Sequence, residues 1–336
     1  MRYDERLAMM RSAVHALLFA AMIALSPDGV TQRARAESYP DHPIKLIVPF
    51  PPGGNADLVA RTIQPGLARF LGQPVVIDNK GGAGGIIGTE YVARQPSDGY
   101  TLLAANASLM TIYPVTYPKL GYDPAKDFAP IGTIASSTHL IAIHPSLPAS
   151  TMQELIAYAK ANPGRIAAGV AGNGSLQHFA TEMLKAHAGI DVLVVSYKAS
   201  APAINDLLAG QIQLLIDPVS TLIPHVTPGR VKALAVSSEA RLDALPDTPT
   251  FNEVGLSELK IDGWQGLLVR AGTAPAVVAK VADALEKTLR LPEVRSRFAS
   301  QGLDPGFDSP EQFAAQIVAQ RERWKKVAAT VQMKIE

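Results

Sequence analysis

The sequence contains no cysteine among its 336 residues. This absence excludes disulfide bridges, thiolate metal ligands and cysteine nucleophiles. Several catalytic and nucleotide-binding motifs are missing too, namely the Walker loop, the Gly-x-Ser-x-Gly elbow and His-Glu-x-x-His. The seven histidines are scattered, without the spacing typical of metal ligands. We therefore expect no metal and no cofactor.

The sequence also has a small net charge and few long apolar runs. The chain has 31 Lys and Arg against 30 Asp and Glu, and residues 1–36 hold five of the basic and three of the acidic residues. Without that segment the net charge is near −1, whereas nucleic-acid binding relies on a basic surface, so no nucleic-acid partner is expected. The apolar run at 13–25 is shorter than the roughly 20 residues that cross a bilayer.

The N-terminus has the order of a secretory signal peptide. A basic segment with Arg2, Arg6 and Arg11 precedes the apolar run at 13–25, and the small-residue site Ala34-Arg35-Ala36 follows it. This order predicts export, with cleavage after Ala36. The alternative interpretation is an amphipathic first helix of the fold.

The rest of the chain predicts an α/β protein of two lobes. Roughly 300 residues exceed the size at which one hydrophobic core stops growing. Short apolar runs alternate with helical stretches, which predicts mostly parallel central sheets flanked by helices. Two strand, glycine-turn and helix units, at 45–70 and 166–188, are expected to face each other across a cleft. The predicted division is signal peptide 1–36, lobe 1 at 37–138 plus 262–336, and lobe 2 at 139–261.

The first glycine-rich turn reads PFPPGGNAD at 49–57. Gly53 and Gly54 let the backbone approach a ligand, and the helix that follows offers unpaired N–H groups and a positive dipole end. Such a turn is an anion site made of backbone. The alternative is a plain strand-to-helix turn that Asn55 or Asp57 merely caps.

The second glycine-rich turn, GNGSLQH at 172–178, also opens a helix. Gly172 and Gly174 permit close approach, and Ser175 is placed to cap the helix and to donate to a carboxylate oxygen. His178 has two interpretations, a structural histidine or a neutral donor to a carboxylate. Valine at Gly54 or at Gly174 is expected to abolish binding and leave the fold intact.

Two further features leave their roles open. The run GGAGGIIG at 81–88 misses the dinucleotide fingerprint, since Ile87 stands where that motif needs glycine. Tight helix–strand packing or flexibility beside a hinge explains this run better than nucleotide binding. Asp217 follows an apolar strand, where it either accepts a hydrogen bond from a ligand or orders the neighbouring turn.

Together these segments resemble the extracytoplasmic substrate-binding receptors of tripartite tricarboxylate transporters, called Bug receptors. The resemblance extends from Tyr39 to the C-terminus. Besides both glycine-rich turns, the matching segments are GQPVVIDN at 72–79, GAGG at 82–85, DGYTLL at 98–103, YDPAKDF at 122–128, SAPA at 200–203, LPDTPT at 245–250 and AGT at 271–273. Ser196 and Ala199 depart from the family's usual proline and glycine, which leaves the identity of the ligand open.

The resemblance implies a type II periplasmic-binding-protein fold, the Venus flytrap, with a small carboxylate held between loops 50–57 and 172–178. Main-chain donors at Gly53, Gly54, Gly174 and Ser175 would contact the carboxylate, and Asn106, Ser108 and Asp217 would contact the other end. The complete set of expected ligand-binding residues is Phe50, Gly53, Gly54, Asp57, Asn106, Ser108, Gly172, Asn173, Gly174, Ser175, His178 and Asp217.

The resemblance also implies a periplasmic receptor that works with inner-membrane transporter subunits and catalyses no reaction. We expect a monomer. Two alternatives remain open from the residues. A ligand-sensing subunit for a membrane kinase would use the same cleft, and an exported enzyme acting on a small acid would have to rely on Ser175, His178 and Asp217.

Overall fold

The computed structural model of the protein describes residues 39–259, 261 and 263–330. The predicted signal peptide and its cleavage site after Ala36 lie outside the described residues. None of the described helices is both long and apolar enough to cross a membrane.

The first part of the chain alternates strands with helices. Its elements are β1 (Ile44–Val48), α1 (Asn55–Leu71), β2 (Val75–Asn79), a 3-10 turn (Ala83–Gly85), α2 (Ile86–Ala93), β3 (Thr101–Asn106), a π-helical turn (Ser108–Ile112), α3 (Tyr113–Thr116), α4 (Pro124–Asp127) and β4 (Phe128–Ser137). Helix α1 forms because Val59, Ile63 and Leu67 recur at helical spacing, and these side chains are buried against the sheet.

The middle of the chain repeats this alternation, and the last part returns to the first sheet. The middle elements are β5 (His139–Ile143), α5 (Met152–Ala161), β6 (Ala167–Ala171), α6 (Leu176–Ala188), β7 (Leu193–Tyr197), α7 (Ser200–Leu208), β8 (Leu214–Pro218), α8 (Val219–Val226) and β9 (Lys232–Val236). The last elements are β10 (Gly263–Arg270), α9 (Pro275–Leu289), α10 (Pro292–Ser300), β11 (Leu303–Pro305) and α11 (Pro310–Thr330).

The described strands form two sheets whose strand orders correspond when the first is read from its β2 edge, except that the first sheet has β11 in addition. The first sheet runs β11-β4-β10-β3-β1-β2 and the second runs β7-β6-β8-β5-β9. In the first sheet β1, β2, β3 and β4 point one way, and in the second β6, β7, β8 and β9 do. The predicted α/β architecture of mostly parallel sheets flanked by helices is confirmed.

Strand order determines where a ligand site belongs. In the first sheet β1 lies between β2 and β3, and in the second β6 lies between β7 and β8. The strands that follow β1 in the chain thus lie on both sides of it, and the same is true of β6. A position where the strand order reverses in this way is called a topological switch point. Open α/β sheets bind ligands there, outside the carboxyl ends of the strands. In this chain those ends carry the two glycine-rich turns, at 49–54 and 172–175.

The chain crosses between the two sheets more than once. Thr138 alone separates β4 from β5, and β10 follows β9 in the chain but lies in the first sheet. Helix α11 then spans both cores. Its Phe313 packs edge-on to Trp264 of β10, whereas Trp324 packs against Phe179 of α6, with ring centroids 5.4 Å apart. The predicted lobe boundaries stay a prediction, and Trp324 shows that the C-terminal helix contributes to the second core.

Candidate functional site

A cavity of about 710 Å³, counting the space at its mouth, lies between the two sheets at the carboxyl ends of their strands. Both sheets contribute to its wall, with Asn106 and Gln265 from the first and Ala171 and Pro218 from the second. Among the described residues, no Asp, Glu, Lys or Arg lines this cavity. The described wall offers an ion backbone groups and neutral side chains.

Four helical segments begin at the cavity wall. They are α1 at Gly54 and Asn55, α6 at Leu176, α7 at Ser200 and the π-helical turn at Ser108. The first N–H groups of a helix have no partner within it, and each long helix presents roughly half a positive charge at that end. The converging helix starts direct N–H groups and positive dipole ends at the cavity, an arrangement that suits a carboxylate.

The first loop is held in shape by Asp57. Its carboxylate accepts hydrogen bonds from the N–H of Gly53 and from Arg61 Nε, both at 2.9 Å, and from Asn79 Nδ2 at 3.0 Å. Burial alone would raise the pKa of Asp57, but these hydrogen bonds bring it below its ordinary value. The backbone donor of Gly53 is thereby used within the loop, and neither the exposed Gly53 nor the buried Asp57 lines the cavity.

The second loop is ordered by the start of α6. The N–H of Gly174 donates to His178 Nδ1 at 3.0 Å, and the N–H of His178 donates to Ser175 Oγ at 3.2 Å. His178 Nδ1 must carry a lone pair to accept this bond, and burial lowers the pKa of the ring. The contacts of Gly174, Ser175 and His178 are thus structural ones, within the loop itself.

The run GGAGGIIG at 81–88 and the second glycine-rich turn at 172–178 meet across the cleft. Gly172 has a φ of +103°, and a Cβ atom there would lie 2.9 Å from Tyr113 Oη and 3.4 Å from the Cα of Gly84. Tyr113 Oη in turn donates to the carbonyl of Gly84 at 3.1 Å. The run at 81–88 therefore provides a close backbone approach between the halves.

Hydrogen bonds also join the two sides of the cleft. The N–H of Leu176 donates to Ser108 Oγ at 3.0 Å, and Ser220 Oγ donates to Asn55 Oδ1 at 2.7 Å. At the rim, Tyr117 Oη donates to the carbonyl of Asn173 at 3.0 Å. These bonds hold the two helix starts of α1 and α6 at the same cavity.

Residues 59–333 match the family model of the tripartite tricarboxylate transporter family receptor. The chain belongs to this receptor family. BugT of Bordetella pertussis is 32% identical over 321 residues, which cover 95% of this chain and 98% of BugT. The resemblance seen in the sequence is confirmed.

Solved structures agree with this membership. The periplasmic binding protein BugD superposes with a TM-score of 0.85 at 35% identity, over 89% of this chain and 100% of BugD. Rpa4515 of R. palustris, solved with adipate, has a TM-score of 0.85 at 33% identity, over 88% of this chain and 99% of that protein. The two-lobe periplasmic-binding-protein fold is therefore shown for this receptor.

Asp217 of the receptor lies fully buried behind the cavity wall. It accepts hydrogen bonds from Ser200 Oγ at 2.8 Å, Thr221 Oγ1 at 2.6 Å and Gln177 Nε2 at 3.4 Å. Ser200 and Gln177 line the cavity, so Asp217 positions two polar side chains of the cavity wall. Burial raises the pKa of Asp217 to about 6, although the hydrogen bonds from Thr221, Ser200 and Gln177 lower it.

Replacing Asp217 by Asn is expected to stabilise the receptor progressively as pH rises from about 4 to 6. A carboxyl group whose pKa is raised on folding loses stability over that interval, because the unfolded chain ionises first. The shift from 3.8 to about 6 corresponds to about 3 kcal/mol at the upper end. Urea unfolding of both proteins between pH 4 and pH 7 measures the difference.

His139 also affects how the stability of the receptor depends on pH. Burial lowers the pKa of His139 to about 4, so its own contribution to stability rises with pH over an overlapping interval and opposes that of Asp217. His139 is present in both proteins, and its contribution cancels in their difference. A difference in unfolding free energy that stays constant from pH 4 to pH 7 would contradict a raised pKa for Asp217.

Of the twelve predicted ligand-binding residues, the cavity wall contains Phe50, Gly54, Asn106 and Ser108. The other eight support that wall from the loops around it or from behind, and their direct contact with ligand stays a prediction. Sequence reasoning missed several wall residues, namely Asn55, Ser137, His139, Gln177, Ser200, Trp264 and Gln265. Ser200 follows a strand and opens a helix, a pattern that could have identified it. His139 and Gln265 lie within strands and have no comparable local pattern.

Proposed function

We propose that this receptor captures a small dicarboxylate in its cavity and delivers it unchanged to the membrane subunits of a tripartite tricarboxylate transporter. The observation that carries the proposal is the convergence of helix starts on a cavity in whose wall the described residues place no acidic or basic side chain. A carboxylate is the ligand group that such N–H donors suit best. The adipate in Rpa4515 supports a dicarboxylate as the ligand class.

The energetics of this binding mode are sufficient without an arginine. Hydrogen bonds to a charged group contribute about 1.5–3 kcal/mol each, and micromolar affinity corresponds to about 8 kcal/mol. The starts of α1 and α7 and the N–H of Gln177 at the start of α6 lie at the cavity, whereas the N–H groups of Leu176 and His178 are already bonded to Ser108 and Ser175. Three or four good donors therefore reach this affinity after the ordering costs of binding.

Binding without catalysis is the second part of the proposal. An exported enzyme would need Ser175, His178 and Asp217 as reacting groups. Ser175 Oγ caps α6, His178 Nδ1 accepts a bond from Gly174, and Asp217 binds Ser200 and Thr221. The Nδ1 atom of His178 is thus occupied by a backbone hydrogen bond. This bond argues against a catalytic pair in which His178 acts as the base for a serine nucleophile.

The place of action and the state of assembly are part of the same proposal. BugD is a periplasmic binding protein, and the basic, apolar and small-residue order of residues 1–36 is that of an exported chain. We place the mature receptor in the periplasm, as a monomer that closes around one ligand. Sedimentation of the purified protein with and without ligand tests the monomer.

The test of the proposal is calorimetric titration of the purified receptor with dicarboxylates of four to six carbons, together with their neutral diamides. We expect one-to-one binding of at least one diacid and none of its diamide, because the converging N–H groups recognise charge. Mass analysis of the ligand after release should recover it chemically unchanged. Binding of diamides as tightly as diacids, or conversion of a bound acid, would overturn the proposal.

A further inference from the structure

Asp217 is a buried carboxylate that one side chain separates from a cavity suited to another carboxylate. The side chain is 0% exposed, and its Oδ1 accepts the hydroxyl of Ser200 at 2.8 Å. Ser200 itself lines the cavity. A ligand oxygen that bonds to Ser200 Oγ would lie within about 6 Å of Asp217 Oδ1, because two hydrogen bonds in series span no more than that. Binding of an anion therefore brings two negative charges close together.

The described surroundings of Asp217 supply hydrogen bonds but no neutralising charge. Among the described residues, no Lys, Arg or His lies within ion-pair distance of its carboxylate. Burial raises the pKa of Asp217 to about 6, while the hydrogen bonds from Thr221, Ser200 and Gln177 lower it. The group is therefore ionised in the free receptor at pH 7.

Strand β8, which carries Asp217, packs against β5, β6, α6, α7 and α8. The titratable side chains on these elements are His139 on β5, His178, Glu182, Lys185 and His187 on α6, Asp206 on α7 and His225 on α8.

The hydroxyl of Ser200 reports the charge of Asp217 to the cavity. A serine hydroxyl has one hydrogen and two lone pairs. When Asp217 is ionised, that hydrogen is used in the bond to Oδ1, and only lone pairs are left for a ligand. A protonated Asp217 donates to Ser200 Oγ instead, which frees the serine hydrogen to turn towards the cavity. One proton on Asp217 thus changes Ser200 from an acceptor into a donor for a ligand carboxylate.

The protonated form leaves the other main partner of Asp217 satisfied. Thr221 Oγ1 lies 2.6 Å from Asp217 Oδ2 and 2.7 Å from the carbonyl oxygen of Pro218. When the carboxyl group is neutral, the threonine hydroxyl has this second acceptor within its own helix start. Protonation of Asp217 therefore strands no buried donor at Thr221.

We infer that Asp217 takes up a proton from solvent when the receptor binds a dicarboxylate, so that affinity for the dianion rises as pH falls from 8 to 6. This inference rests on the proposed function. The proton leaves water, bonds to Oδ1 of Asp217 and is shared with Ser200 Oγ. A ligand charge about 6 Å away disfavours a second negative charge at Asp217. By linkage, a ligand that favours the protonated form binds more tightly where that form is populated.

The test is calorimetric titration with succinate, glutarate and adipate at pH 6, 7 and 8. At pH 7 each titration is repeated in HEPES and in imidazole, because the difference in heat between buffers of unequal ionisation enthalpy counts the protons taken up. The acids themselves are ionised at both ends at pH 7. For each acid that binds, we expect uptake of about half a proton or more per ligand, and an affinity at pH 6 at least about fivefold above that at pH 8.

Asp217→Asn removes the titrating group and keeps its size. We expect this variant to take up no proton on binding and to hold its affinity within about twofold from pH 6 to pH 8. Asp206→Asn is the matched control. Asp206 lies on α7, accepts the hydroxyl of Tyr197 at 2.7 Å and does not line the cavity. The control should retain the proton uptake of the wild-type receptor, and thermal unfolding checks that both variants are folded.

The outcomes separate the inference from the function on which it rests. Tight binding by wild-type receptor without proton uptake, at an affinity independent of pH, would overturn the inference and leave dicarboxylate binding standing. Full proton uptake in Asp217→Asn would also overturn it. His139 lines the same cavity, with a pKa that burial lowers to about 4, and a bound anion would then be protonating this ring instead. Failure of every acid to bind the wild-type receptor at any of the three pH values would overturn the proposed function itself.

Discussion

Valine in place of Gly54 is expected to lower the affinity of the receptor for its dicarboxylate at least a hundredfold. Gly54 lines the cavity at the start of α1, where the first N–H groups of the helix point towards the ligand. A branched side chain at this point occupies the volume that the carboxylate needs and covers those donors. A hundredfold loss corresponds to about 2.7 kcal/mol, the value of one or two charge-assisted hydrogen bonds.

The fold should tolerate this substitution. The backbone of Gly54 is extended, with φ −82° and ψ 171°, and the nearest heavy atom to a new Cβ is the carbonyl oxygen of Pro51 at 3.9 Å. Loss of binding can thus be measured by calorimetry on a protein whose thermal unfolding is unchanged. The same does not hold for Gly174.

At Gly174 the expectation from sequence, that valine would spare the fold, is wrong. Its φ is +63°, a region in which a β-branched residue is strained, and its N–H is already bonded to His178. Valine there would destabilise the loop, so that lost binding would say nothing about ligand contact.

Gly306→Val is the control for the variant at Gly54. A Cβ atom on Gly306 meets nothing within 4 Å, and this glycine does not line the cavity. We expect wild-type affinity in the control. If valine at Gly54 bound dicarboxylate as tightly as the control does, the start of α1 would not be part of the ligand site.

Replacing Trp324 by Ala is expected to cost about 3–5 kcal/mol of the free energy of unfolding. Trp324 is 1% exposed and is among the largest fully buried side chains. Its ring packs on Phe179 of α6, in the core beneath the second sheet, although α11 begins beside the first. The vacated volume cannot be refilled without moving the helix, and the penalty for the cavity adds to that for lost burial.

The measurement is urea unfolding of the variant beside Val318→Ala, which truncates a side chain on the same helix. Val318 is 51% exposed, so its loss should change the free energy of unfolding by less than about 0.5 kcal/mol. A change below 1 kcal/mol for Trp324→Ala would contradict the packing of α11 against the second core.

Local patterns in the sequence were sufficient for the elements that place the site. The apolar run before residue 49, the two glycine-rich turns and the helical spacing of Val59, Ile63 and Leu67 indicated β1, α1 and their counterparts β6 and α6. These features are short-range, because a helix or strand with one buried face repeats apolar residues at its own period. Phe50 and Gly54 could be assigned to the cavity wall for this reason.

Elements whose pattern is set by distant partners were not predicted. Strand β4 contains Pro130 and Gly132 and shows no alternation, because most of its residues are buried between β10 and β11 and the helices on both faces. Helix α10 was missed for a related reason, since only Val294 and Phe298 are buried in a charged segment. When distant elements bury a segment on several sides, its apolar residues show no periodic pattern in the sequence.

The sequence by itself determined the family, the βα alternation and the two loops at the strand ends, because all of these depend on residues that are neighbours in the chain. Only the tertiary structure decided which side chains line the cavity. Asp57, His178 and Asp217 carry the groups usual in binding sites, yet they bond to their own loops and neighbours. His139 and Gln265 lie 126 positions apart in the chain and line the same cavity only because β10 returns beside the crossing from β4 to β5.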